Sequence, residues 1–291
     1  MNNRKTIKSS LLLLLTATIW GVAFVAQSVG MDYVGPFTFN AVRFLMGGIV
    51  LFPLVWIRSR KQKNVQSSDK KKMWIGGLCC GLALCTASLF QQVGLIYTSV
   101  GNAGFITTLY IIIVPMMGLF FGKKVHPSLW FSAMIAIVGL YLLCVGENFS
   151  LNKGDGLVFI CAVIFAIHIL VIDYFTAYVD GVFLSCIQFF VSGMICTVGA
   201  IIMETPSIGG LMACWLPLVY AGVLSCGVAY TLQIIGQRDM DPTIASLILS
   251  LESVISVLAG WILLDEILTF KAIVGCLLVF AAVILVQLHN E

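Results

Sequence analysis

The most constraining feature of the sequence is one carboxylate, Glu252, near the middle of the apolar run 241–266. The run is long enough to cross a bilayer, because a helix needs about 20 apolar residues to span the hydrocarbon core. At 3.6 residues per turn, Glu252 shares a helix face with Ala245, Ser256 and Ala259. A carboxylate costs at least about 2.5 kcal/mol at the centre of a membrane helix. This face is therefore predicted to pack against protein or a cavity.

The other side of the run carries large aliphatic side chains, and we expect it to face lipid in part. These side chains are Ile244, Leu247, Leu251, Ile255, Leu258 and Ile262.

The composition of the whole chain agrees with a membrane environment. Hydrophobic residues make up 60% and charged residues 10%, whereas soluble domains are about 25% charged. The net charge of +3 does not indicate nucleic-acid binding, since most basic residues stand in short loops beside apolar runs. The 10 cysteines form no CxxC pair and have no metal-ligand spacing, so neither a metal nor another cofactor is expected.

Ten apolar segments are separated by polar or turn-rich breaks, so the predicted fold is all-α and integral to the membrane, with ten transmembrane helices. The segments are about 9–28, 37–57, 74–96, 99–121, 128–146, 156–175, 182–203, 212–234, 242–264 and 270–288.

The chain also shows a weak internal repeat, which divides it into residues 1–150 and 151–291. Matches at offsets of about 142 and 145 include Gln91 with Gln233, Ala103 with Ala245, Gly118 with Gly260, Trp20 with Phe165 and Phe44 with Phe189. Five spans per half is an odd number, so the second half must enter the membrane from the opposite side. Such inverted repeats are typical of secondary transporters, whose substrate site lies near the midplane between the repeats.

The loop charges set the predicted orientation. With the N-terminus inside, basic residues number 13 on the inner side and 2 on the outer side, and Arg43 within the second span completes the 16. Positive residues favour the cytoplasmic side. Both termini are therefore predicted to be cytoplasmic, in a multi-pass protein of the cell membrane.

Several short motifs occur in a consistent order along the ten segments. They are Ile19-Trp20-Gly21, Pro36 with Arg43-Phe44, Tyr97-Thr98-Ser99 through Asn102-Ala103, Pro115, Leu251-Glu252, Gly260-Trp261 and Asp265-Glu266. In these motifs the chain resembles the EamA-type permeases of the drug/metabolite transporter (DMT) superfamily over nearly its whole length. The resemblance implies two five-helix repeats around a central cavity, and transport of small metabolites, often outward.

Two positions depart from the pattern of that family. Lys123-Lys124 stand where the first repeat usually has a Gly-Glu pair, and Ser253 replaces the proline expected after Leu-Glu. The first change affects the loop after the fourth span. The second predicts that the ninth span is not kinked at that point.

Two ionisable residues inside spans are candidates for substrate binding or coupling. Glu252 is suited to bind an amino group of a substrate or to exchange a proton between access states, and the alternative is a neutral side chain hydrogen-bonded between helices. Arg43, on a face with Asn40, is suited to hold a substrate carboxylate or to pair with Glu252. The alternatives for Arg43 are an interfacial position or bonds to loop carbonyls.

Neutral polar and aromatic residues complete the candidate lining. Trp20 and Gln27 share one face of the first span, Gln91 and Gln233 are repeat-related amides, and Tyr230 lies one turn from Gln233. Such a lining suits uncharged or zwitterionic solutes, whereas interhelical packing is the simpler interpretation of each residue alone. His168, among apolar neighbours, is interpreted as a packed histidine.

The sequence thus predicts a permease or exporter of small organic metabolites, such as amino acids, that works by alternating access. Membrane lipid and a small-molecule substrate are the expected partners; proton coupling and a homodimer are left open. A transport-inactive scaffold or sensor is the alternative. A membrane-embedded enzyme is disfavoured, because His126, His168 and His289 stand in different segments without an HExxH motif.

Overall fold

The computed structural model describes residues 3–61, 67–98, 100–120, 122, 126–144, 152–264 and 268–288. Within these ranges every regular element is a helix. The helices are α1 (Asn3–Met31), α2 (Pro36–Lys61), α3 (Ser67–Leu95), α4 (Val100–Thr108), α5 (Tyr110–Phe120), α6 (Pro127–Cys144), α7 (Lys153–Thr176), α8 (Gly181–Met203), α9 (Ile208–Ala213), α10 (Trp215–Val219), a π-helix (Tyr220–Tyr230), α11 (Thr231–Gln237), α12 (Pro242–Leu249), α13 (Leu251–Leu263) and α14 (Phe270–Leu288).

Eight helical segments are long and apolar enough to cross a membrane. They are Thr6–Met31, Pro36–Arg60, Lys70–Leu95, Val100–Phe120, Lys153–Thr176, Gly181–Met203, Trp215–Gln237 and Pro242–Leu263. Two shorter apolar helices, Pro127–Leu142 and Phe270–Leu285, coincide with the remaining two predicted segments. Every apolar segment expected from the sequence is therefore helical over the residues described.

Polar residues fix where several of these helices begin. Asp180 caps α8 by accepting from the Val182 amide at 2.8 Å, and Asp241 caps α12, whose first residue is Pro242. Proline suits the first helical position because its missing N–H would have no partner there. These caps coincide with the polar breaks in the sequence.

The run that contains Glu252 is interrupted at Ser250, between α12 and α13. The absence of a proline led to the prediction of no kink at Ser253, and Ser253 lies inside α13. The interruption at Ser250, three residues earlier, was not predicted. The hydroxyls of Ser246, Ser250 and Ser256 each donate a hydrogen bond to the backbone carbonyl three residues earlier, at 2.7–2.8 Å. Such local bonds compete with the helical ladder and bend helices, so serines interrupt this span without a proline.

The matching run of the first half is interrupted at nearly the same place, at Leu109 between α4 and α5. The Leu109 amide bonds to the Ile106 carbonyl at 3.2 Å, three residues back, which is the tighter pattern of a 3₁₀ turn. Leu109 and Leu251 are 142 residues apart, the offset of the sequence repeat. Both halves thus place a broken helix at the centre of the protein.

A π-helix, Tyr220–Tyr230, forms the middle of the span Trp215–Gln237. Side chains of α1 bond to its backbone: the Thr16 hydroxyl donates to the Ala229 carbonyl at 3.2 Å, and Trp20 Nε1 donates to the Ser225 carbonyl at 3.4 Å. Widened turns of this kind occur frequently at functional sites.

The bundle is held together mainly by contacts between the two halves of the sequence. Helix α2 packs along α8, α3 along α7 and α8, and α1 along α13, while α6 packs along α14. Gly21 permits the close approach of α1 and α13, because a β carbon there would lie 2.7 Å from the Glu252 carbonyl oxygen and would overlap Ile255.

Side-chain bonds link α2 and α8 at both ends of the pair. At one end, Glu204 accepts from the amides of Phe37 and Thr38 at 2.8 Å each, and so caps α2 from the end of α8. At the other end, Arg58 of α2 forms an ion pair at 2.8 Å with Asp180, the residue that caps α8. The two helices therefore hold each other at both ends.

The predicted faces of the central helices are partly confirmed. Ala245, Glu252, Ser256 and Ala259 are buried as expected. The opposite side is not uniformly exposed, because Ile244, Leu247 and Leu251 are buried, Ile255 and Leu258 are half-buried, and Ile262 is exposed. Helix α12 lies in the interior, and the end of α13 reaches the surface. Ser99, Lys123-Lys124 and Asp265-Glu266 lie outside the described residues.

Candidate functional site

A small cavity lies at the centre of the helical bundle. The space open to the centres of water molecules is about 40 Å³, enough for roughly three waters. Its walls are formed by Trp20, Ala23, Phe24, Gln27, Gln91, Thr107, Tyr110, Phe165, Ile169, Ser225, Tyr230, Gln233, Leu249 and Glu252. Both halves of the chain contribute, and six of the eight candidate residues lie together here.

Glu252 and Tyr110 meet in the wall of this cavity. The Tyr110 hydroxyl donates a hydrogen bond to Glu252 Oε1 at 2.9 Å, and both side chains are buried. The two residues are 142 positions apart, so they are equivalent in the sequence repeat. Tyr110 is the first residue of α5 and Glu252 the second residue of α13. The breaks at Leu109 and Ser250 thus bring the phenol of one half to the carboxyl group of the other.

A second contact between the broken helices lies one turn away. The Ser253 hydroxyl lies 2.9 Å from the Gly104 carbonyl oxygen and 3.1 Å from Thr108 Oγ1, and it donates to the carbonyl. Gly104 also allows close approach, since a β carbon there would lie 3.0 Å from Ser256 Oγ. Ser253 thus joins α13 to α4 through a hydrogen bond. A proline at this position has no hydroxyl and could not form it.

Aromatic side chains form another part of the wall. The rings of Trp20 and Tyr230 have centroids 4.5 Å apart at 58°, and Phe165 lies nearby in the lining. His168 packs edge-on against Tyr230 and Phe165 at 6.2 and 6.3 Å. It is buried and bonds to Gln188 at 3.0 Å, which agrees with the interpretation of a packed histidine.

Three amides line the cavity. Gln91 Nε2 donates to Thr107 Oγ1 at 3.3 Å, whereas Gln233 Oε1 is buried without a hydrogen-bond partner. The repeat-related amides therefore differ in their bonding. Gln27 connects the cavity to a deeper polar group, because its Oε1 accepts from Arg43 Nη1 at 2.8 Å.

Arg43 and Asn40 lie behind the lining residues. Both are buried, and Asn40 Nδ2 donates to the Ser88 carbonyl at 3.4 Å. The Arg43 guanidinium lies 4.8 Å from the centre of the Phe44 ring. Arg43 does not pair with Glu252: each has a different neutral partner, Gln27 and Tyr110 respectively.

The main residue missed in the sequence is Tyr110. It stands in the apolar run YIIIVPMM, where a single tyrosine carries no signal of its own. The repeat offset applied to Glu252 points to it, and this is the signal that could have found it. Thr107 and Ser225 also join the lining, and short hydroxyl residues in spans are too common to be singled out.

The cavity has the chemistry of a binding site for a small polar solute. Glu252 is the one carboxylate in the described lining, and amide, hydroxyl and aromatic groups surround it. Among the described residues, no group of three or more His, Cys, Asp or Glu side chains is placed to hold a metal ion.

A bundle of apolar helices with a polar cavity between two related halves defines a polytopic membrane protein of the transporter type. The sequence matches the EamA-like transporter family twice, over residues 7–145 and 152–288. The chain therefore belongs to this family, in the drug/metabolite transporter superfamily, as the sequence motifs indicated. The two matches agree with two repeats, and the division at residue 150 stays a prediction.

Relatives from distant organisms are similar over nearly the whole chain. An uncharacterized transporter of Archaeoglobus fulgidus is 31% identical over 287 residues, which is 98% of this chain and 87% of that protein. The uncharacterized transporter YoaV of Bacillus subtilis is 22% identical over 279 residues, 94% of each chain. These names agree with membrane transport as the general activity.

A solved crystal structure has the same overall arrangement. It superposes with a TM-score of 0.78 over 97% of this chain and 96% of the other, at 18% sequence identity. At this identity the likeness concerns the fold alone.

Proposed function

We propose that this protein is a secondary transporter that moves small organic metabolites, such as amino acids, across the cytoplasmic membrane by alternating access. The proposal includes ten spans in two inverted five-helix repeats, with both termini in the cytoplasm. It includes neither an enzymatic activity nor an energy source other than solute and ion gradients.

The observation that carries this proposal is the hydrogen bond between Tyr110 and Glu252 in the cavity wall. In transporters built from repeats, the substrate site lies between the repeats and next to interrupted helices. Here both interrupted helices meet at the cavity through equivalent residues. A carboxyl group in a membrane interior is costly and marks a functional site.

The size of the cavity supports a closed state between two access states. The cavity admits roughly three waters, and an amino acid has more non-hydrogen atoms than three waters. The helices must therefore move apart for a solute to enter. The interruptions at Leu109 and Ser250 are suitable hinge points, because hinges are a few residues at element ends that absorb backbone changes.

Glu252 is the group that we propose to couple transport to protons. The Tyr110 hydroxyl is a donor to the ionised carboxylate, and rotation of the hydroxyl also lets it accept from the protonated form. Either state can thus be held at the same place. Binding of a solute amino group would favour the ionised form through charge pairing.

Flux in proteoliposomes tests the proposal. Wild type and Glu252→Gln would be compared with a panel of amino acids and small amines, each with and without an imposed pH gradient. We expect wild-type flux to respond to the gradient and the variant to lose that response, because glutamine cannot exchange a proton.

Two other results would decide against parts of the proposal. Equal rates for both proteins, unaffected by the gradient, would make Glu252 structural and the protein a facilitator. Solute binding by the purified protein without flux for any solute of the panel would contradict transport and favour a scaffold or sensor.

A further inference from the structure

Arg43 carries a positive charge in the interior of the bundle that the described residues leave uncompensated. The side chain is 2% exposed, and its Nε and Nη2 groups have no hydrogen-bond partner. Its one side-chain acceptor is the neutral amide oxygen of Gln27, at 2.8 Å. The one ion pair found among the described residues, Arg58 with Asp180, lies at a helix end.

An unpaired charge of this kind is unfavourable in the folded protein. Burying an ion without an opposite charge is costly, and unpaired donors add to that cost. The faces of Phe44 and Phe39, at 4.8 and 5.8 Å from the guanidinium carbon, offset a part of it. The Nε and Nη2 donors still have no hydrogen-bond partner among the described residues.

The surroundings of Arg43 are polar and incompletely bonded as well. Gln92 donates to the Gln27 carbonyl at 3.1 Å, but its own Oε1 has no partner, and Asn40 Oδ1 also has none. Both side chains are fully buried. Three helices, α1, α2 and α3, thus enclose a polar region that the protein alone does not satisfy.

We infer that Arg43 binds the carboxylate group of the transported solute. This inference rests on the proposed function and names the class of its substrates: small organic acids or zwitterions with a free carboxylate. A guanidinium presents paired donors that match the two oxygens of a carboxylate. The Gln27 amide oxygen occupies one of the positions that a carboxylate oxygen would take.

Gln27 connects this group to the solute path. It lines the central cavity on one side and accepts from Arg43 on the other. A rotation of its side chain would open Arg43 to the cavity, where an arriving carboxylate would replace the amide oxygen. Glu252, in the same cavity, is separately bonded to Tyr110 and so is not the counter-charge.

The first test introduces a carboxylate into the protein next to Arg43. Gln27→Glu is nearly isosteric and places an acid where the amide oxygen now meets Arg43. We expect this variant to melt several degrees above wild type in detergent at low ionic strength. Gln233→Glu is the matched control, since it makes the same change in the same cavity, and it should melt below wild type.

Ligand-dependent melting is the second test, with three pairs of probes: acetate and acetamide, leucine and leucinamide, phenylalanine and phenylalaninamide. At matched chloride concentration, at least one carboxylate should raise the wild-type melting temperature more than its amide does. Gln27→Glu should lose this difference. Chloride, titrated separately, shows whether any small anion has the same effect, which would contradict recognition of a carboxylate.

Transport completes the test and separates this inference from the proposed function. Arg43→Lys should weaken transport of the responding carboxylate at least about tenfold in KM, since a charged hydrogen bond is lost. If wild type carries solutes but Arg43→Gln carries the acid and its amide as wild type does, transport stands and the inference fails. If wild type carries nothing, the proposed function fails. The ligand-dependent melting then decides the role of Arg43: an equal shift for each carboxylate and its amide overturns the inference.

Discussion

The hydroxyl of Tyr110 lies 2.9 Å from Oε1 of Glu252, and the two residues occupy equivalent positions in the two halves of the chain. Their separation of 142 residues is one of the offsets of the sequence repeat. The two members are chemically different, one a phenol and one a carboxylic acid. The centre of the protein is therefore asymmetric within a repeated framework.

Removing the phenol hydroxyl should weaken the centre of the bundle. Tyr110→Phe leaves a buried carboxyl oxygen without its donor, and we expect the free energy of unfolding to fall by about 1–3 kcal/mol. Thermal or denaturant unfolding in detergent measures this. Tyr141→Phe is the control, since the Tyr141 side chain is half exposed.

A double-mutant cycle with Glu252→Gln would isolate the interaction between the two residues. Residues in direct contact give coupling energies of about 0.5–3 kcal/mol. Additive effects of the two changes would contradict the hydrogen bond.

Gly21 should tolerate no side chain where α1 meets α13. A methyl group there would overlap Ile255 and the Glu252 carbonyl oxygen, so Gly21→Ala is expected to cost about 1–3 kcal/mol. Gly101→Ala is the matched control in α4, because a β carbon at that position meets nothing within 4 Å. Alanine should be tolerated or slightly stabilising there. Equal melting temperatures for the two variants would be inconsistent with this packing.

The bonds of Glu204 and the ion pair of Arg58, which link α2 to α8 at opposite ends, should contribute differently to stability. Glu204→Ala leaves two backbone amides without their acceptor and should cost about 1–3 kcal/mol. Arg58→Ala removes a partly exposed ion pair and should cost less than about 1 kcal/mol, diminishing further in high salt. Melting curves at low and high salt compare the two. A larger loss for Arg58→Ala would reverse the ranking.

Trp20 should act through its ring more than through its indole N–H. The bond from Nε1 to the Ser225 carbonyl is long, at 3.4 Å, whereas the ring packs closely on Tyr230. Trp20→Phe is therefore expected to keep flux within about fivefold of wild type, since a weak bond contributes under about 1 kcal/mol. Trp20→Ala enlarges the cavity and should admit bulkier solutes. A flux panel graded by solute size distinguishes these outcomes.

The sequence was sufficient to predict the helices because lipid imposes a simple rule: each span must be long and apolar, and polar breaks then mark the ends. The repeat and the buried carboxylate followed from the same pattern. The break at Ser250 was missed because serine hydroxyls bend a helix only through particular local bonds, which composition does not reveal. Tyr110 was missed because its role depends on which residue stands opposite, a property of the fold and not of its own segment.

The partner of Arg43 was also beyond a sequence-based prediction. The sequence left open whether Arg43 pairs with Glu252 or with a substrate. Rotation about the helix axis decides the matter, and it directs Arg43 to Gln27 on α1. Periodicity specifies which residues share a face but not which neighbouring helix that face meets.

The bonds at the two ends of α2 and α8 restrict movement of these helices relative to each other. A shift of one helical turn, 5.4 Å along the axis, would break the bonds of Glu204 at one end and of Arg58 at the other. These bonds oppose sliding of α2 along α8, although one helix comes from each half of the chain. Helix α2 lies in the first family match and α8 in the second, so the division of the sequence into two matches is not a division of the helix packing.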